Sequence, residues 1–227
     1  MNRSNVVKST VQPNRSIIHE IVNENGTRES IQYSSIKAGL NWPSATMPGY
    51  YCVFGELWHD EMRQSTNKNR GKIVFLSEFE SSDISIKELL NHLTDDLLQY
   101  GCTTIYTLTD EGYRDFVRAF HDFTDHVGSC SISLHNAPLA DNFFLGLSRI
   151  EDLMKDSKLE LPENTKLYPK LKSIRREDLQ DAPESRFHSI NALRFVVAGF
   201  NKYQTKHTNS DVYNRSSADS AHSWMSH

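Results

Sequence analysis

The sequence has little cysteine and no long apolar run. Three of its 227 residues are cysteines, too few and too scattered for a disulfide framework or a zinc site. No apolar stretch approaches the roughly 20 residues that a membrane span needs. Residues 1–16 also lack the apolar segment of a signal peptide. We therefore expect a soluble cytoplasmic protein without a membrane partner.

A strong excess of one charge is also missing. Lys and Arg total 25 and Asp and Glu total 29, so the formal net charge is −4. This balance excludes a strongly basic nucleic-acid coat protein, although it permits a local basic groove. Aromatic residues make up 10% of the chain, which favours a folded core over global disorder.

Several common catalytic signatures are absent as well. The sequence contains no G-x-x-x-x-G-K-[ST], which excludes an NTPase of the P-loop type, and neither G-x-G-x-x-G nor G-x-S-x-G. The cysteines fall in or beside predicted strands, so we interpret them as core residues rather than nucleophiles: Cys52, Cys102 and Cys130. These absences leave acidic side chains as the main candidates for chemistry.

The two ends of the chain differ in composition from the middle. Residues 1–47 are a polar N-terminal segment, in which Asn25-Gly26 predicts a hairpin turn between two short strands, Ser16–Val22 and Glu29–Tyr33. Residues 202–227 contain almost no aliphatic side chains, and we expect a disordered tail there. The folded domain is therefore predicted to span residues 48–201.

Strand and helix patterns alternate within this domain. The predicted strands are Gly49–Leu57, Lys72–Glu80, Thr103–Leu108 and Cys130–Leu134. Helical spacing of apolar residues follows Asp83, Asp110 and Asn142, and closes the domain over Ser189–Phe200. Two strands followed by helix–strand–helix–strand–helix predict an α/β fold with a mixed sheet and helices on both faces.

Acidic residues follow several of these strands. Active sites in such sheets collect at the carboxyl ends of the parallel strands. Glu56 ends the first strand and Asp110 follows the third, while Glu184 and His188 stand just before or within the first turn of the last helix. Three acids at one edge can hold one or two Mg²⁺ or Mn²⁺ ions for phosphodiester cleavage. Polar loops also carry acids that are merely solvated, and three neighbours are rival ligands: His59, Asp60 and Glu61.

One stretch, Thr165–Glu177, concentrates positive charge around Tyr168. Its basic residues are Lys166, Lys170, Lys172, Arg175 and Arg176. The pattern fits two interpretations equally. One is a surface that follows the phosphate backbone of DNA, and the other is a solvated loop balanced by the acids that follow it.

The order of elements over Gly49–Phe200 resembles the nuclease domain of viral large terminase subunits, a branch of the ribonuclease H-like fold. The resemblance is most specific in the closing helix, HSINALRF from His188, where that family typically has His or Asp and then Asp-Ala-Leu-Arg-Tyr. The segment Tyr106–Asp110 resembles the strand whose Asp is a metal ligand. Two positions depart from the family: Glu56 replaces the acid of a Gly-x-Asp sequence, and Asn191 replaces the closing Asp.

The resemblance implies a ribonuclease H-like α/β fold and a Mg²⁺- or Mn²⁺-dependent DNA endonuclease of viral DNA processing and packaging. Glu56, Asp110 and Glu184 or His188 would hold one or two ions, and the basic stretch would approach double-stranded DNA. A separate packaging ATPase, a small terminase or a portal protein is the implied partner, in the host cytoplasm. Two alternatives stay open: a catalytically degenerate DNA-binding or assembly subunit, and a junction resolvase or RNA–DNA hybrid nuclease.

Overall fold

A computed structural model describes nine segments of the chain. They are residues 6–23, 25–43, 48–58, 71–81, 86–108, 117–122, 132–137, 142–174 and 187–200. The predicted tail and the rival ligands of the loop after Trp58 lie outside these segments. So do four of the predicted site residues: Asp110, Glu184, Arg175 and Arg176.

A mixed sheet of eight strands forms the centre of the described structure. The strands are β1 (Val6–Val11), β2 (Ile17–Val22), β3 (Arg28–Asn41), β4 (Tyr50–Leu57), β5 (Ile73–Glu80), β6 (Thr104–Thr107), β7 (Ser133–Asn136) and β8 (Leu159–Glu160). Strands β1 to β5 pair in chain order and are all antiparallel. By contrast, β6 runs parallel to β3, β7 parallel to β6, and β8 parallel to β5.

Helices cover both faces of this sheet. They are α1 (Ile86–Tyr100), α2 (117–122), α3 (Phe143–Lys155), α4 (Leu167–Ser173) and α5 (His188–Phe200). Side chains of β4 alternate between the two faces, as the period of two in a strand requires. Tyr50 and Cys52 join the core under α3, α4 and α5, whereas Tyr51 and Val53 join the core under α1. Among the helices of the described segments, none combines the length and the hydrophobicity that a membrane span requires.

The long strand β3 is the central strand of the sheet. Its first half pairs with β2 and its second half with β6 on one side, while β4 lies along the other side. The resulting order β5-β4-β3-β6-β7, with a three-stranded antiparallel unit followed by two parallel strands, is that of the ribonuclease H-like fold. The predicted fold class is thus confirmed by the topology.

The predicted N-terminal hairpin is present, but its second strand is much longer than the sequence pattern predicted. The turn contains Gly26 at φ +79°, and β3 continues beyond Tyr33 to Asn41. The apolar pattern stops at Ser34-Ser35, which hides this continuation in the sequence. Strands β1 to β3, which lie in the predicted N-terminal segment of residues 1–47, therefore belong to the same sheet as β4 to β8.

Candidate active site at the carboxyl edge of the sheet

Strand direction decides which predicted site residues share an edge. Because β3, β5 and β6 run in the same direction, their carboxyl ends lie together, beside the start of β4. We call this the carboxyl edge. Asn41 pairs with Tyr50, which pairs in turn with Glu80. In sequence, Asp110 follows Leu108, the last described residue after β6, by two positions.

Glu56 lies at the opposite edge. It pairs with Ser35 on one side and with Ile73, the first residue of β5, on the other. Its carboxylate accepts hydrogen bonds from the hydroxyls of Ser34 at 2.8 Å and Ser35 at 3.4 Å. Asn41 follows Ser35 by six positions along β3, a distance of about 20 Å at roughly 3.3 Å per residue. The structure therefore does not bring Glu56 to the edge reached by β6, because β4 is antiparallel to both neighbours.

The strand parallel to β6 is β3, and it ends in Gly39-Leu40-Asn41. Gly39 has no room for a side chain, since an added Cβ would lie 1.9 Å from the carbonyl oxygen of Ala192. Helix α5 thus crosses β3 in direct backbone contact, two residues before Asn41. Gly39-Leu40-Asn41 has the Gly-x-acid spacing of the family with an amide in place of the acid, whereas Gly55 and Glu56 are adjacent in the sequence. This spacing is the signal that could have identified Asn41.

Two helices meet β5 at the carboxyl edge through the carboxylate of Glu80. Its Oε1 atom accepts hydrogen bonds from Lys170 Nζ and from His188 Nε2, both at 2.8 Å. Lys166 Nζ lies 3.9 Å from Oε2. Partial burial acts to raise the pKa of Glu80, but the hydrogen bonds from Lys170 and His188 outweigh it, and the pKa lies below its usual value. Glu80 is therefore a carboxylate held ionised by its cationic neighbours.

The imidazole of His188 is oriented by this contact. With Nε2 donating to Glu80, the neutral ring has its lone pair on Nδ1, which is buried and has no hydrogen-bond partner among the described residues. The side chain is 13% exposed and stands edge-on to the ring of Tyr50, with centroids 6.1 Å apart. A carboxylate that fixes the tautomer of a histidine is a recurrent arrangement around metal ligands and general bases.

Glu78, two residues before Glu80 on the same face of β5, has a structural role. Its carboxylate accepts the backbone N–H groups of Lys166 and Leu167 at the start of α4. It also accepts the hydroxyl of Tyr50. Amide groups at the start of a helix have no partner within the helix, so an acidic side chain there stabilises it. Glu78 and Glu80 together fix α4 to the carboxyl edge.

The described residues do not fit a divalent metal site. Within the described segments, no group of three or more His, Cys, Asp or Glu side chains could hold an ion. Glu78 and Glu80 already accept hydrogen bonds from a helix start, a tyrosine, a lysine and a histidine, and Asn41 is neutral. Asp110 and Glu184, which lie outside the described residues, are the remaining acids predicted for this edge.

The basic stretch is partly neutralised by the sheet. Lys166 and Lys170, four positions apart in the sequence, both face Glu80. Lys172 lies over the ring of Tyr168, with its Nζ atom 4.4 Å from the centroid. Two of the three described lysines of this stretch thus have a carboxylate partner, and all three side chains reach solvent.

Asn191, which stands where the family has an Asp, faces inwards. It is 5% exposed, and its Oδ1 atom accepts a hydrogen bond from Arg194 Nη1 at 2.7 Å. The Arg194 guanidinium lies 4.4 Å from the ring centroid of Phe143, and Gly146 leaves the space that the arginine occupies. Asn191 thus helps to seat an arginine between α3 and α5.

The strand order is that of the ribonuclease H-like fold, and two solved structures are similar to the chain at low identity. The chain is similar to the Holliday junction resolvase of fowlpox virus, with a TM-score of 0.36 and 9% identity over 74% of this chain and 99% of that chain. It is also similar to the terminase nuclease domain of human cytomegalovirus, solved soaked with Mn and with an inhibitor bound, with a TM-score of 0.36 and 9% identity over 74% and 82% of the two chains.

The terminase nuclease resemblance predicted from the sequence is thus found again among solved structures. No family model and no curated protein matches the chain. Because one fold hosts many activities, these similarities concern the fold, and the function has to be argued from the site.

Proposed function

We propose that this protein is a metal-dependent DNA endonuclease of the ribonuclease H-like class. The observation that supports the proposal is the convergence of three chain segments at the carboxyl edge. These are the end of β3 at Asn41, the end of β6 that leads to Asp110, and the start of α5 at His188. Sites in open α/β sheets form at such an edge, and this is where the family resemblance expects the chemistry.

Within this proposal, the acids available to a divalent ion are Asp110 and Glu184. Glu80 is a positioning residue, because it orients His188 rather than facing outwards. Glu56 is not part of the proposed site. A role in processing and packaging viral DNA, with a separate packaging ATPase, small terminase or portal protein as partner, belongs to the same proposal and is supported by the sequence resemblance.

Plasmid cleavage tests the proposal directly. Purified wild-type protein is incubated with supercoiled DNA and Mn²⁺, Mg²⁺ or EDTA, beside the variants Asp110→Asn and Glu56→Gln. Metal ions contribute several kcal/mol of charge stabilisation in phosphoryl transfer, so loss of a ligand should slow cleavage by about 100-fold or more. We expect this loss for Asp110→Asn and near wild-type cleavage for Glu56→Gln, the matched control at the opposite edge. Full cleavage by Asp110→Asn would remove Asp110 from the mechanism.

A non-catalytic DNA-binding or assembly subunit is the second candidate. The neutral side chain of Asn41 and the engaged carboxylates of Glu78 and Glu80 favour it. This candidate predicts DNA binding that is unaffected by EDTA, together with no cleavage in either metal. A ribonuclease H-like resolvase or hybrid nuclease is distinguished by substrate, since it would cut four-way junctions or RNA–DNA hybrids faster than linear duplex.

A further inference from the structure

The carboxylate of Glu80 faces two lysines that reach solvent, Lys166 at the N-cap of α4 and Lys170 within α4. The side chains of Lys166 and Lys170 are 58% and 37% exposed, whereas that of Glu80 is 22% exposed. Both ammonium groups therefore reach solvent while they face the same internal anion. A phosphate oxygen approaching from solvent would meet the same two cations that Glu80 holds.

The remaining features of α4 fit a nucleic-acid backbone. Lys172 and Tyr168, one turn apart, place a cation over a half-buried aromatic ring, and aromatic rings interleaved with cations are typical of surfaces that bind DNA strands. The helix begins beside the carboxyl edge, because its first amides are bound to Glu78 of β5. DNA lying along α4 would therefore run past the proposed active site.

We propose that α4 binds the phosphate backbone of DNA and that Glu80 is an intramolecular competitor, which neutralises Lys166 and Lys170 until a phosphate replaces it. This inference rests on the proposed function in that DNA is the ligand. It adds that the Glu80 carboxylate lowers the affinity for DNA, and that it does so by pairing with Lys166 and Lys170.

Equilibrium binding to a labelled duplex tests this competition. Affinity is measured by fluorescence anisotropy in EDTA, with KCl varied from about 50 to about 200 mM. Glu80→Gln keeps the shape of the side chain and removes its charge. We expect it to tighten binding about 3- to 10-fold at the lowest salt. It should also steepen the plot of log K against log[salt] by about 0.9, because each additional phosphate contact releases counterions.

The chain offers a matched control at the other end of β5. Lys72 and Glu160 form a pair at 2.7 Å, so Glu160→Gln makes the same change in net charge away from α4. Glu80→Gln should gain clearly more affinity than Glu160→Gln. Equal gains in the two variants would show a general charge effect and would overturn the competition.

A double-mutant cycle identifies the lysine through which Glu80 acts. In a Lys170→Gln background, the gain from Glu80→Gln should fall by more than half, and an undiminished gain would overturn the assignment. If Glu80→Gln does not fold, as judged by circular dichroism, Lys170→Gln alone decides. It should flatten the salt plot by about 0.9 relative to the control Lys72→Gln, and equal slopes would overturn the proposed surface.

These outcomes are independent of the proposed chemistry, because no metal is present. A protein that shows the Glu80 effect without cutting plasmid in Mn²⁺ would refute the endonuclease and leave the binding surface in place. A protein that cuts plasmid but binds DNA equally with and without the Glu80 charge would refute the competition alone.

Discussion

Replacing Gly39 by alanine should sharply destabilise the protein. The new Cβ would lie 1.9 Å from the carbonyl oxygen of Ala192 and 2.9 Å from Cβ of Val196. Side-chain carbons essentially never approach a heavy atom within 3.0 Å, so α5 would have to recede from β3 by roughly 1 Å. The obstacle is backbone of a helix packed on both β3 and β4, and no side-chain rotation can relieve it.

The magnitude follows from this geometry. Overpacking a core costs typically about 1–3 kcal/mol, and a clash with backbone belongs at the upper end, so we expect about 3 kcal/mol or more for Gly39→Ala. Without the clash the sign would be opposite, because alanine inside a strand is favoured over glycine by about 0.5–1 kcal/mol. The sign of the change therefore tests the close approach of α5.

Urea unfolding followed by circular dichroism measures the effect. With a slope of about 3 kcal/mol per M, the midpoint should fall by about 1 M. Gly71→Ala is the matched control, because Gly71 has φ +67° and no atom within 4 Å of an added Cβ. Its cost should be only the backbone strain of about 1–2 kcal/mol. A Gly39→Ala protein as stable as wild type would refute the packing of α5 on β3.

Two further predictions concern buried polar groups under α1. Burial lowers the pKa of His19 below 6.5 despite the hydrogen bond from Nε2 to the carbonyl oxygen of Tyr100. The unfolded chain therefore takes up the proton first, and stability should fall as the pH drops below about 6.5; urea midpoints at several pH values should show a weaker dependence in His19→Phe. The hydroxyls of Tyr51 and Ser77 each donate to the buried carboxylate of Asp96 at 2.6 Å. Tyr51→Phe and Ser77→Ala should each cost about 1–3 kcal/mol in the same unfolding assay, and no loss in either would contradict the bonding to Asp96.

Local periodicity was sufficient to predict most of the elements. The strand predicted over Gly49–Leu57 is β4, Tyr50–Leu57, and the helix predicted over Ser189–Phe200 is α5, His188–Phe200. Both signals are short-range, since alternating or helical spacing of apolar side chains appears within one element. The continuation of β3 was missed because Ser34-Ser35 interrupts the alternation, which resumes at Ile36, Ala38 and Leu40. The amine of Lys37 is accommodated by the carbonyl oxygen of Gly199 at the end of α5, 2.8 Å away, a contact 162 residues distant in the chain.

The same distinction between short-range signals and long-range contacts applies to the candidate site. The sequence by itself determined the α/β class and the closing helix that begins at His188, because each depends on residue types at fixed local spacing. Only the tertiary structure decided which residues share an edge. Because β4 is antiparallel to β3 and β5, Glu56 lies at the edge opposite to the carboxyl edge, where Asn41 lies. Long-range packing placed Glu80 between His188 and Lys170. Direction and pairing depend on contacts between residues far apart in the chain, and no local pattern encodes them.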